Sequence, residues 1–144
     1  MRPANSPGGV FQPRPIFASC ITWQNVMHLS FGNLLDEAHG DAGQEIVTSI
    51  VDSPNLKIER IVSLGQKSPP EFWYDQPLAE WVMVFSGSAG LRIEGESEVR
   101  VMSAGDCALI PARTKHRVEW TAEDRPTIWL AVHFPEPKVM GYLE

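Results

Sequence analysis

The sequence predicts an all-β domain built as an antiparallel sandwich or barrel, and three observations carry that expectation. Apolar and polar residues alternate over short runs, and β-branched residues concentrate in those runs. Clusters of Gly, Pro, Asn and Asp punctuate them at regular spacing. At 144 residues the chain fits one domain able to bury a core, and 43% hydrophobic with 21% charged residues is ordinary for a globular protein.

Residues 1–27 lack sustained periodicity and are rich in Pro, Gly, Ser and Asn, so a flexible N-terminal arm is expected before a domain spanning 28–144. The segment Phe17-Ala-Ser-Cys20 has the look of a lipoprotein cleavage site. No continuous apolar stretch precedes it, and no signal peptide is expected. No apolar run is long enough to cross a bilayer, so no membrane partner is expected. A formal net charge of −6 repels phosphate backbones and argues against a nucleic-acid partner. Cys20 and Cys107 are far apart and form no CxxC pair, which points to a reducing cytoplasm, with Cys107 as a small core residue.

Strands are expected at 45–51 and 57–64, around the turn Asp52-Ser-Pro-Asn55, and then at 80–85, 90–94 and 98–102. Three more follow at 107–110, 116–120 and 127–134. Asp41 with Gln44 could cap a short helix, but the β-branched content after them favours a strand. Period two places His116, Val118 and Trp120 inward, with Lys115, Arg117 and Glu119 toward solvent. Glu80 shares a face with Val82 and Val84, and His133 shares one with Trp129 and Ala131. The run 127–134 is apolar on both faces, which predicts a central strand or one covered by a second copy of the chain in a homodimer.

An inward Glu80 beside an inward His116 raises a chemical question, because a lone buried carboxylate neutralises unless a cation or donor holds it. A divalent metal bound by imidazole and carboxylate satisfies both groups. The bland alternatives stay open. His116 could donate to a backbone carbonyl, and Glu80 could pair with Arg113, Lys115 or Arg117. Asp75 could cap the turn at Pro77, and His133 could be an ordinary sheet histidine.

Spacing adds to this. Six residues separate Glu80 from Gly87, five separate Gly105 from Pro111, and four more precede His116. The pattern resembles the cupin superfamily, whose first motif ends E-x6-G and whose second begins G-x5-P and runs on to a histidine. The likeness covers residues 45–134 and implies a jelly-roll β-barrel with Glu80 and His116 as metal ligands. The family's His-x-His pair is absent. Its places fall on Trp73 and Asp75, or on Tyr74 and Gln76 if the gap is one residue shorter. Arg113 stands where the second motif has glycine, and Trp120 where it has asparagine.

The resemblance thus implies a divalent cation (Fe, Mn, Zn or Ni) held by Glu80 and His116, with Asp75 and His133 as further candidate ligands. Glu80 and Tyr74 are the candidate catalytic residues, Tyr74 as a proton donor, and Trp73, Gln76, Trp120 and Trp129 are candidate pocket walls. Such a protein would act on a small organic molecule as an isomerase, lyase or dioxygenase. The alternative is a non-catalytic binding or sensing module with an aromatic pocket of Trp73, Tyr74, Trp81 and Trp120.

Overall fold

The computed structural model describes residues 27–36 and 38–137, so the expected N-terminal arm lies outside the described residues except for Met27. Eight strands form in the expected order: β1 (Ile46–Ser53), β2 (Leu56–Ser63), β3 (Ala79–Ser86) and β4 (Ser88–Ile93) come first. β5 (Arg100–Ser103), β6 (Cys107–Ile110), β7 (His116–Thr121) and β8 (Thr127–Phe134) complete them, with no helix among the described residues. No helix of the described residues is long and apolar enough to cross a membrane. A five-stranded sheet runs β1-β2-β8-β3-β6 and faces a three-stranded sheet β5-β4-β7. Every pairing is antiparallel.

Local chemistry explains the connections. Ser53 pairs with Leu56, leaving Pro54 and Asn55 as the tight turn that closes β1 on β2. Asp41 and Gln44 form an isolated bridge, and the Asp41 carboxylate accepts from the Gly43 amide at 2.7 Å. That is a turn held by an aspartate rather than a helix cap. Strand β8 sits between β2 and β3, which accounts for a run apolar on both faces. Gly87 alone separates β3 from β4, two strands of different sheets, and its φ of 86° makes it the corner where the chain changes sheet.

The two inner faces meet in a core of Val82, Val84, Leu91, Met102, Ile110 and Trp129. Cys107 is exposed, contrary to the core position expected for it. It pairs with Met83 on the outer face, because Ala108 and Ile110 take the inward places on the short strand β6.

A second correction concerns β7. Leu91 lies opposite Val118 and Gly90 opposite Trp120, so Glu119 is an extra residue at a bulge. Across an antiparallel pair, opposed residues share a face. His116 and Val118 therefore point inward with Ile93 and Leu91, but beyond the bulge it is Thr121 that joins the core residue Ala89. Trp120 is turned outward, its indole lying across Gly90, where any Cβ would run into the ring. Uninterrupted period two had placed Trp120 inside.

Candidate functional site

The inner face of the larger sheet presents charged side chains at one end. Glu80 on β3 lies opposite His133 on β8, and His133 lies opposite Lys57 on β2. One row deeper, Val82 and Ala131 line up with Glu59. From the smaller sheet, β7 begins with His116 facing the same space. The loop between β2 and β3 closes that end as an irregular added edge on β7. Ser68 N–H donates to the Val118 carbonyl at 2.8 Å, and Tyr74 and His116 exchange backbone bonds at 2.8 and 3.2 Å. Arg113 N–H then donates to the Gln76 carbonyl at 2.8 Å.

That edge decides which aromatics reach the site. Tyr74 is bridged to His116, so its ring faces inward and stacks on the imidazole, with centroids 5.4 Å apart and planes 25° apart. Trp73, one residue earlier, points the other way and receives the Arg117 guanidinium at 5.7 Å from its ring centroid. Trp81 lies outward as well, on the face of β3 opposite to Glu80 and Val82. Trp73, Trp81 and Trp120 are thus absent from the walls, whereas Tyr74, Gln76 and Trp129 belong to them.

The space between them is an open-mouthed cavity of about 490 Å3. Its apolar wall includes Ile61, Val82, Leu91, Ile110, Val118 and Trp129. Its polar groups are Glu45, Lys57, Glu59, Tyr74, Asp75, Gln76, Glu80, His116 and His133. A mostly apolar cleft with a few converging polar groups is the usual form of a small-molecule site.

Glu80 and His116 come together. The imidazole Nε2 is 3.4 Å from Glu80 Oε2, and both side chains are largely buried. Gln76 Nε2 donates to the same carboxylate oxygen at 3.2 Å. His116 Nδ1 is 2.8 Å from the Thr114 carbonyl, which only accepts, so Nδ1 carries a hydrogen. Neutral His116 would then aim the Nε2 lone pair at a carboxylate lone pair. A proton or a cation has to lie between them. Burial pulls the His116 pKa down, but the Glu80 carboxylate and the Thr114 carbonyl outweigh it, and the net shift is upward. Burial, with help from Glu45 and Glu80, raises the Tyr74 pKa and keeps that hydroxyl protonated as a donor.

The other two candidate ligands are engaged elsewhere. His133 Nε2 is 3.6 Å from Glu59 Oε2, and Glu59 Oε1 is 2.8 Å from the Lys57 ammonium. Asp75 sits at the rim, 3.4 Å from Arg113 Nη1. Among the described residues no three of His, Cys, Asp and Glu are gathered to hold a metal ion. Arg113 itself has φ of 63°, a left-handed conformation that explains a glycine at this place in the second motif. Sequence reasoning missed Glu59, Lys57 and Glu45. A signal for the first two existed in the phase of β2, which puts Lys57, Glu59 and Ile61 on one face, but the identity of that face needs the pairing of β2 with β8.

The profile of the cupin domain matches residues 61–133, just over half of the chain. A crystal structure from Ralstonia eutropha JMP134, provisionally named a mannose-6-phosphate isomerase, is 50% identical with a TM-score of 0.72, covering 75% of this chain and 100% of that one. The chain belongs to the cupin family. A cupin superfamily protein from Desulfitobacterium hafniense DCB-2 shares the fold at 12% identity and a TM-score of 0.61, covering 78% of this chain and 100% of that one. A DMSP lyase from Ruegeria pomeroyi DSS-3 does so at 19% and 0.54, covering 66% and 49%. Among curated proteins, none matches the chain.

Proposed function

We propose that the chain is a small-molecule enzyme of isomerase type, with Glu80 and His116 as its reacting pair. The carrying observation is the pair of opposed acceptors 3.4 Å apart, with Nδ1 already committed to Thr114. A proton held there is available for transfer inside a largely apolar cavity. The half-identical relative carries an isomerase name, which supports the reaction class. On a hydroxycarbonyl compound the step balances without any further reactant. The Glu80 carboxylate takes the proton from the carbon next to the carbonyl while His116 Nε2–H protonates the carbonyl oxygen, giving an enediol. The reverse transfers, with Glu80 returning its proton to the neighbouring carbon and His116 recovering one from the adjacent hydroxyl, give the isomer. Tyr74, beside the imidazole and protonated, serves as a hydrogen-bond donor to a substrate oxygen.

The same gap is where a divalent cation would sit. Glu80 and His116 supply two protein ligands, fewer than the three usual for a catalytic centre, so the residues do not make a full metal site. Nδ1 donating to a carbonyl is nevertheless how metal-bound histidines are often oriented. Elemental analysis of freshly purified protein, with 15N NMR of the His116 ring, tests both readings. The proton reading expects no stoichiometric metal and a protonated Nε2 near neutral pH. The cation reading expects about one equivalent of Fe, Mn, Zn or Ni that His116→Ala removes. A neutral His116 ring without metal from about pH 5 to pH 8 would sink both.

A homodimer is part of this reading. Trp81, Val132 and Ile58 lie side by side on the outer face of the larger sheet, each half-buried, and Leu109 beside Trp81 is 51% exposed. A second copy over this face would cover them. Light scattering is expected to give twice the chain mass, and Trp81→Glu to give monomers. A monomeric parent protein across micromolar concentrations would rule the dimer out.

A further inference from the structure

The charges around the cavity bear on what it accepts, and they point away from the phosphate ester in the half-identical relative's name. We infer that the cavity takes an uncharged hydroxycarbonyl or polyol compound and discriminates against its phosphate ester. This rests on the reading of the cavity as the reaction site. Four carboxylates line it: Glu45, Glu59, Asp75 and Glu80. Among the described lining residues Lys57 is the single lysine or arginine, and its ammonium is already 2.8 Å from Glu59.

Each lining carboxylate has a partner. Glu80 has His116 and Gln76, and Glu59 has Lys57 and His133. Asp75 has Arg113 at the rim, and Glu45 Oε1 accepts from the Ser63 hydroxyl at 2.6 Å. The cavity is therefore internally matched, with no cationic group left over for an anion. A phosphate monoester carries about −1.5 to −2 charges at neutral pH and is held by arginine, lysine or the amides of a helix N-terminus. The described residues contain no helix to supply such amides. A dianion would also approach against the overall charge of −6.

What remains suits hydroxyl groups against a greasy wall. Tyr74 and Gln76 offer a hydroxyl and an amide at one side, while Val82, Ile110 and Trp129 present an apolar surface to the carbon skeleton.

The test uses the full-length protein and matched probes: mannose against mannose 6-phosphate, and glyceraldehyde against glyceraldehyde 3-phosphate. The Trp129 indole N–H resonance reports occupancy of the cavity. In at least one pair the neutral compound is expected to bind at least about tenfold more tightly than its phosphate. Glu59→Gln combined with Glu45→Gln is expected to narrow that ratio by weakening the repulsion. The inference is overturned if in neither pair the neutral compound binds about tenfold more tightly than its phosphate, or if neither neutral probe shifts Trp129 by about 50 mM. Turnover, followed separately by proton NMR, keeps the two readings apart. Selective binding without isomerisation removes the isomerase and leaves the charge selection standing. Isomerisation that prefers the phosphate removes the charge selection alone.

Discussion

Replacing Gly87 with alanine is expected to cost about 2–5 kcal/mol, a large share of the stability of an ordinary domain. Two terms contribute. Gly87 has φ of 86°, where an L-residue costs about 1–2 kcal/mol. A Cβ built there would stand 2.6 Å from the Pro126 carbonyl oxygen and 2.7 Å from Thr127 Cα. Those are backbone atoms that cannot swing aside, and such overpacking adds about 1–3 kcal/mol. Thr127 cannot retreat easily, since its hydroxyl donates to the Ser88 carbonyl at 2.9 Å and the residue is fully buried. Gly105→Ala provides the control. Gly105 has a similar φ of 94° but open space around the missing Cβ, so only the backbone term applies. Urea unfolding should give a clearly larger loss of midpoint for Gly87→Ala than for Gly105→Ala with unchanged slope. Equal losses would mean that the corner is not tightly packed against β8.

That corner also shows what sequence can and cannot reveal. Gly87 and Glu80 were visible as a spaced pair, and the spacing has a mechanical cause. A strand that starts with an inward acid must run its length before the chain turns into the opposite sheet. The strand pattern was legible for the same reason: alternation and turn residues are local, and each strand's pairing only had to agree with them. His116 was placed correctly because nothing interrupts period two at the start of β7.

Three residues further on, the extra Glu119 reverses the phase and Trp120 ends outside. A bulge leaves no mark in composition, since it is a property of the pairing with β4. Trp73 was misplaced on similar grounds. Its direction follows from the bridge between Tyr74 and His116, a contact between a loop and a distant strand. Glu59 stayed hidden because β2 has mixed chemistry on both faces: Arg60 on the outer side is as buried as a core residue, its guanidinium donating to the Leu34 and Asp36 carbonyls. Only the register with β8 shows that the acid faces His133.

Activity is expected to fall about 10²–10⁴-fold in His116→Asn and comparably in Glu80→Gln, the range typical of a lost acid or base. The double variant discriminates more sharply than either alone. Groups that act as one unit are non-additive, so the double variant should be no worse than the poorer single. Multiplying losses would mean that the two side chains act independently, contrary to a shared proton. Stability gives a readout that needs no substrate. The folded protein raises the His116 pKa above its ordinary value of 6.5, so near and above that pH the native state binds more protons than the unfolded chain. Stability contributed by this pair is then fully present below pH 6.5 and lost as pH rises through the higher folded pKa. Denaturant titrations across that window should show the parent protein losing stability with rising pH and His116→Asn showing a flatter profile. Identical profiles would indicate that Nε2 is unprotonated opposite Glu80, which removes the proton reading and makes metal content the deciding measurement.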